Sequence, residues 1–269
     1  MTALFQSLRE LPLLCQGRPD ALKDWLDHPT AARLIACVTA IVLGCGAYGF
    51  TLGLWRAPLM GGFVAAKLPL LIFLTLLTNG LLNGMLSQLL GSGLGFRQTM
   101  LAMLMSFACF SLITGALSPV ALLMVLNAPP PDPAAGRDAY RIILLVHVSI
   151  IAFAGITAHR RFYPVLAAAA DNPAAAPRVF LTWLAGNLFV GAQLSWNLRP
   201  FFGQPAKEVS FLRADWNKSS FYESIYYNLK ALLGPLRHAP VPVILFLVVC
   251  VAIAVVIVER RLRPKRLRY

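Results

Sequence analysis

The residues of this chain best equipped for chemistry are few and stand far apart. His147 lies inside IILLVHVSIIAF, near the middle of an apolar run, and Lys67 near the start of another. An imidazole at that depth can relay a proton or ligate haem, but ligation by two histidines needs a second one at matching depth. His28, His159 and His238 read instead as loop or span-end residues. The simpler expectation is a buried histidine satisfied by a neighbouring carbonyl or serine. Lys67 is expected about one turn inside its helix, where its long stem snorkels to the interface. Asp24 and Asp27 form the one DxxD, in a polar segment that reads as a solvated face. No G-x-S-x-G, H-E-x-x-H or Walker loop occurs. Cys15, Cys37, Cys45, Cys109 and Cys250 never fall into a CxxC or Cys/His pattern. Every acidic residue falls in a loop, a tail or the last turn of an apolar run. Acid/base or metal chemistry within an apolar medium would lack its usual groups. The expectation is a chain that is not an enzyme and that holds no cofactor and no metal.

Polar side chains without charge are better organised. Thr75, Thr78, Asn79, Asn83, Ser87 and Gln88 share one apolar run, and Asn79, Asn83 and Ser87 recur every fourth residue, on one helix face. Gly80 and Gly84 stand beside them at GxxxG spacing. A second strip holds Asn187, Gly191, Gln193 and Ser195, and a third run carries Gly44, Gly46, Gly49 and Gly53. Amides and hydroxyls in hydrocarbon need partners, and small residues let a neighbouring helix come close, so these faces should pack on protein rather than lipid. Thr75, Asn79, Asn83, Ser87, Asn187 and Gln193 thus act either as glue between helices or as the wall of a polar pathway.

The elements that carry these strips are membrane spans. The chain is 58% apolar and 13% charged with a mean hydropathy of +0.68, where a soluble domain would be roughly a quarter charged. A span takes about 20 mostly apolar residues, because the helix rises 1.5 Å per residue and must satisfy its own backbone. Six stretches qualify: Ala31 to Trp55, Phe63 to Leu89, Thr99 to Leu126, Tyr140 to His159, Val179 to Asn197 and Val241 to Val258. Pro119 should kink the third or break it in two. The fold class is therefore all-α, a polytopic bundle of about six spans with amphipathic interfacial helices. It divides into a cytoplasmic N-terminal segment with an amphipathic helix (1–30), a five-span bundle (31–197), an aromatic-rich interfacial or extracytoplasmic segment (198–240), and a sixth span with a basic cytoplasmic tail (241–269).

The 24 Lys and Arg outweigh 11 Asp and Glu, which in a membrane protein reflects loops facing the cytoplasm and anionic lipid, not nucleic acid. With the N-terminus inside, Arg9, Arg18, Lys23, Arg33, Arg97, Arg160, Arg161, Arg178 and the six basic residues between Arg260 and Arg268 face the cytoplasm, so both termini are placed there. The polar, mixed-charge start suggests no cleavable secretory signal. Leu4, Phe5, Leu8 and Leu11 fall at helical spacing and suit a helix lying along the cytoplasmic interface. After the fifth span, Trp196, Phe201, Phe202 and Trp216 read as an aromatic belt at headgroup level beside Arg199, with Pro200 stopping the helix. Asn217 to Leu233 then places Phe221, Ile225, Leu229 and Leu232 on one face of an amphipathic helix. APPPDPAAG (Ala128 to Gly136) reads as a stiff turn and Ala167 to Pro177 as an Ala/Pro/Asp connector.

Three stretches, Ala65 to Thr99, Ser111 to Val125 and GAQLSWNLRPFFGQP (Gly191 to Pro205), resemble a group of bacterial multi-span membrane proteins grouped with the Yip (Ypt-interacting protein) domain family. The resemblance covers about a quarter of the chain and implies a helical membrane bundle without known enzymatic activity, in a bacterial inner membrane. It transfers no site residues. Yip-domain proteins are described with five spans, so a sixth departs from that pattern. The leading expectation is a scaffold or accessory subunit whose partners are the bilayer and other membrane proteins, or a second copy of itself. The alternative is a channel or transporter along Asn79, Asn83, Asn187 and Gln193.

Overall fold

The computed structural model describes residues 2–132, 136–172, 174–203 and 205–232. Contacts divide the chain into two units, residues 1–225 and 226–269. In chain order the helices are α1 (Thr2–Cys15), α2 (Pro19–Asp27), α3 (Ala31–Leu54), α4 (Pro58–Leu89), α5 (Phe96–Ala116), α6 (Ser118–Asn127), α7 (Gly136–Arg160), α8 (Tyr163–Ala169), α9 (Ala175–Asn197) and α10 (Phe221–Leu232). Among the described residues there is no strand, and α3, α4, α5, α9 and a run from α7 through α8 are long and apolar enough to span a membrane. The protein is an all-α helical membrane bundle. The sixth expected span, Val241 to Val258, lies outside the described residues.

Local chemistry sets the ends of these helices. The Thr30 hydroxyl accepts from the Arg33 amide at the start of α3. Pro19 and Pro58 open α2 and α4, where the missing N–H is no loss. The Gln98 side chain accepts from the Gly95 amide at the start of α5. Within the first unit α3 is the centre, packed along α4 and α5 and touched by α1 and α6. Small residues permit this closeness. A Cβ added at Gly53 would lie 2.4 Å from the Met60 carbonyl oxygen, and one at Gly49 2.5 Å from that of Val64. The GxxxG pair on α3 is thus the surface on which the α4 backbone rests.

The long third span expected from the sequence is two helices. α5 ends at Ala116 and the ten-residue α6 begins at Ser118, with Pro119 in its first turn. Proline has no N–H to return to a carbonyl one turn back, so the ladder stops there. α6 is too short to span; it buries Ala121 and Val125 and exposes Val120, Leu123 and Leu126. α1 also departs from expectation. Its face of Ser7, Leu11 and Leu14 is buried in the bundle against α3 and α5, while Phe5 is exposed. The helix is a packed element of the core because its inward stripe runs through Leu14, beyond the stretch that suggested an interfacial face. In α10, Ile225 packs partly on the core of the first unit; Leu229, in the second unit, is exposed, as are Tyr226 and Tyr227 beside it.

Charges tie α1, α2 and α3 together at one end of the bundle. Arg33 pairs with Asp24, lies 3.7 Å from Glu10 and donates to the carbonyls of Asp24 and His28, while Trp25 Nε1 donates to Glu10 at 3.0 Å. The solvated face expected for Asp24 and Asp27 is exposed on α2, with Asp24 engaged by Arg33.

Two outcomes follow. Gly53→Val should lower the thermal midpoint of the detergent-solubilised protein, at about 1–3 kcal/mol for overpacking, whereas Gly62→Ala, with nothing near its added Cβ, should leave it unchanged or slightly raised. The Arg33 hydrogen bond holds the Asp24 carboxyl below its ordinary 3.8. A depressed folded pKa gives stability that is present above the ordinary value and lost as pH falls through the folded one. Asp24→Asn should therefore lower the midpoint slightly at neutral pH, by no more than about 1 kcal/mol for so exposed a pair, and the difference from wild type should begin to shrink near pH 3.8 and vanish once the pH is below the depressed folded value.

Candidate functional site

Two polar constellations emerge, one deep between helices and one at the bundle end. The deep one joins α4, α9 and α7. Asn79 Nδ2 donates to Asn187 Oδ1, Asn187 Nδ2 donates to His159 Nε2 at 2.7 Å, and His159 Nδ1 donates to the Gly155 carbonyl at 2.9 Å. A carbonyl can only accept, so Nδ1 of His159 carries a proton, and with the Asn187 amide nitrogen turned toward it Nε2 accepts. Along the same α4 face Thr75 donates to the Leu71 carbonyl, Asn83 donates to Met103 Sδ at 3.6 Å, and Ser87 accepts from Trp183 Nε1 at 3.0 Å. Asn79, Asn83 and Ser87 are 2%, 1% and 0% exposed. On the α9 side the match comes from glycine: a Cβ at Gly186 would meet the Asn79 amide at 2.9 Å. Gln193 stands outside this set, half-buried and donating to Asn197 one turn on in its own helix.

The second constellation is a cap, described over residues 198–203 and 205–220 and folded over the other end of the bundle from α1 and α2. Three cations hold it by its backbone. Arg199 donates to the carbonyls of Trp196, Asp215, Trp216 and Lys218 and lies 3.6 Å from the Asp215 carboxylate. Lys67 Nζ donates to the Pro200 carbonyl at 2.9 Å and lies over the Phe211 ring at 4.7 Å. Arg56, just past α3, donates to the carbonyls of Pro205 and Lys207. Charged donors strengthen such bonds about twofold over neutral ones. Arg199 further stacks on Trp196 at 4.1 Å.

Under the cap, between α4, α7 and α9, is a partly open cavity of about 130 Å³. Its walls are mostly apolar residues of those helices, joined by Leu52 of α3 and by Phe221 and Ile225 at the start of α10; Ser195, Ser224, Arg199 and Arg213 are the polar groups of its lining. Deeper beside it, His147 is wholly buried, shares a hydrogen bond of 2.8 Å between Nδ1 and the Tyr48 hydroxyl, and rests against Phe202 with ring centroids 5.5 Å apart. Its Nε2 has no partner, nor has the buried Nε of Arg199.

Comparison with protein-family models, curated proteins and solved structures finds no match. The site must therefore be read from its own geometry. Among the described residues no three His, Cys, Asp or Glu side chains come together as a metal site. The histidine at mid-span is satisfied on one side by tyrosine rather than by a carbonyl or serine. His159, expected at a span end, is buried in the last turn of α7 and belongs to the amide chain. Lys67 does not snorkel: it is fully buried, because α4 begins at Pro58, well before the expected Phe63, and the cap closes over the lysine. Of the aromatic segment, Arg199 and Phe202 are buried, Trp196 and Phe201 half-buried and Trp216 exposed. The segment folds inward instead of lying flat as a belt. Arg56 and Arg213 were not singled out from sequence; a cation flanking an aromatic, proline-rich segment is the signal that points to them.

Lys67→Met and Arg199→Gln should each loosen the cap. Each removes charge-assisted hydrogen bonds worth about 1.5–3 kcal/mol apiece, so tryptic cleavage after Lys207, Arg213 or Lys218 should rise about tenfold or more. Unchanged cleavage rates would refute the clamp.

Proposed function

We propose that this chain is a non-enzymatic scaffold or accessory subunit of a membrane complex, in a bacterial inner membrane. The observation that carries the reading is the closure of the polar strip on itself. Thr75, Asn79, Ser87 and Asn187 are buried and donate to or accept from groups of their own chain. That is what fixed glue between helices does, whereas the wall of a solute pathway keeps its donors and acceptors free for the solute. The helix surfaces turned outward carry apolar side chains such as Leu77, Leu81 and Met85 of α4 and Leu123 and Leu126 of α6, suited to lipid or to apolar helices of a partner. The basic residues Arg9, Arg18, Lys23, Arg33 and Arg97 near α1, α2 and the start of α5 support a cytoplasmic placement of that end, with the cap outside. The likeness to Yip-domain proteins rests on the sequence stretches now located on α4, across α5 and α6, and from α9 into the cap.

Cross-linking in native membranes and extraction in mild detergent should give a discrete assembly larger than the 29.3 kDa chain. A monodisperse monomer under every extraction condition would overturn the proposal. Proteoliposomes should show no solute or ion flux above empty vesicles; flux abolished by Asn79→Leu and Asn83→Leu would replace the scaffold with a transport pathway.

A further inference from the structure

The cavity beneath the cap has a chemistry that a scaffold role leaves unused. On α7, Tyr140, Leu144, Val148 and Ile151 recur every third or fourth residue and form one wall. That stripe is about 16 Å long at 1.5 Å per residue. Leu68 and Leu71 of α4 line the space as well. At the capped end the lining carries two guanidinium groups, Arg199 and Arg213, and no carboxylate. Arg199 is 8% exposed and its Nε has no partner. The acid nearest to it in charge, Asp215, is 44% exposed in its side chain and stands 3.6 Å from the guanidinium, a weak and solvated counterweight. Lys67, whose ammonium reaches Pro200 next to Arg199, adds a third positive charge to the same end. Burial is the largest influence on Arg213 and disfavours its cation; Tyr140 and Asp215 pull the other way, and the neighbouring Arg199 charge adds a smaller push against it. An anion seated there relieves that cost.

Size narrows the ligand further. A cavity of about 130 Å³ compares with an apolar one of about 150 Å³ that admits a single benzene ring. It accommodates the head and first carbons of one acyl chain, not the two chains of a glycerolipid, and its partial opening leaves a way out for the remaining carbons. The geometry points to a binding site for a single-chain anionic amphiphile, a long-chain carboxylate whose head pairs with Arg199 and Arg213 and whose chain lies along the α7 stripe.

The test is a scintillation proximity assay of tritiated palmitate on the detergent-solubilised full chain, with unlabelled palmitate, hexadecanol and inorganic phosphate as competitors. Binding should be saturable, with palmitate competing about tenfold or more better than hexadecanol, the worth of one charge-assisted hydrogen bond, and with millimolar phosphate failing to compete. Arg213→Gln, which leaves the Arg199 clamp intact, should weaken binding by about the same factor. Val148→Trp, which fills the cavity, should abolish it, with thermal unfolding confirming that both variants are folded. Equal competition by hexadecanol, or unchanged binding in folded Arg213→Gln, would overturn the carboxylate reading. Displacement by phosphate would reduce the site to a small-anion site, and failure of folded Val148→Trp to block binding would remove the cavity from consideration.

Discussion

A polar group buried in a helical bundle that crosses a membrane has no water to fall back on, and this constraint orders most of what the structure shows. Each amide of α4 that points inward meets a donor or acceptor of the same chain, and the chain from Asn79 through Asn187 to His159 ends on the Gly155 carbonyl, which can only accept. Hydrogen bonds between membrane helices are worth about 0.6 kcal/mol on average, so the network adds modest stability. Its larger effect is on register. Only one sliding position of α9 against α4 brings Asn187 to Asn79 with Gly186 alongside, while Trp183 one turn earlier meets Ser87.

The same constraint explains the cap. A loop of some twenty residues carries many backbone carbonyls, and at the end of an apolar bundle they must be satisfied without a regular ladder. Arg199 satisfies three of them and one at the end of α9 from a single side chain, and Lys67 and Arg56 take three more. The cations are in turn stabilised by aromatic faces, Trp196 under Arg199 and Phe211 under Lys67. Charge and aromatic rings, which at first sight suggest an interfacial belt, here build a folded lid.

Much of this was legible from spacing alone. The four-residue recurrence of Asn79, Asn83 and Ser87 marks an inward face, and Gly49 and Gly53 mark a close backbone contact, because both patterns depend only on helix geometry. Five spans of the described region follow from apolar run length, and Pro119 locates the break between α5 and α6. What spacing could not show was which strips meet. Gln193 shares a helix with Asn187 but faces elsewhere, and His159, near a chain turn, gains its buried place from α9. Lys67 was misplaced because helix α4 starts five residues before its apolar run does, and because the covering loop comes from residues more than 130 positions away in sequence. Long-range partners of this kind leave no periodic trace.

The length of α4 bears on how the bundle meets its bilayer. Thirty-two residues make a helix of about 48 Å, against a hydrocarbon core of about 30 Å. From Lys67 to Leu89 the same helix measures about 33 Å, close to that thickness. Hydrophobic mismatch is thereby avoided without a steep tilt if one hydrocarbon boundary lies at Lys67, and the first turns of α4 rise with the cap into the headgroup layer. The lysine under the lid would then mark where oil ends, and membranes of other thickness would be disfavoured by a fraction of a kcal/mol per ångström.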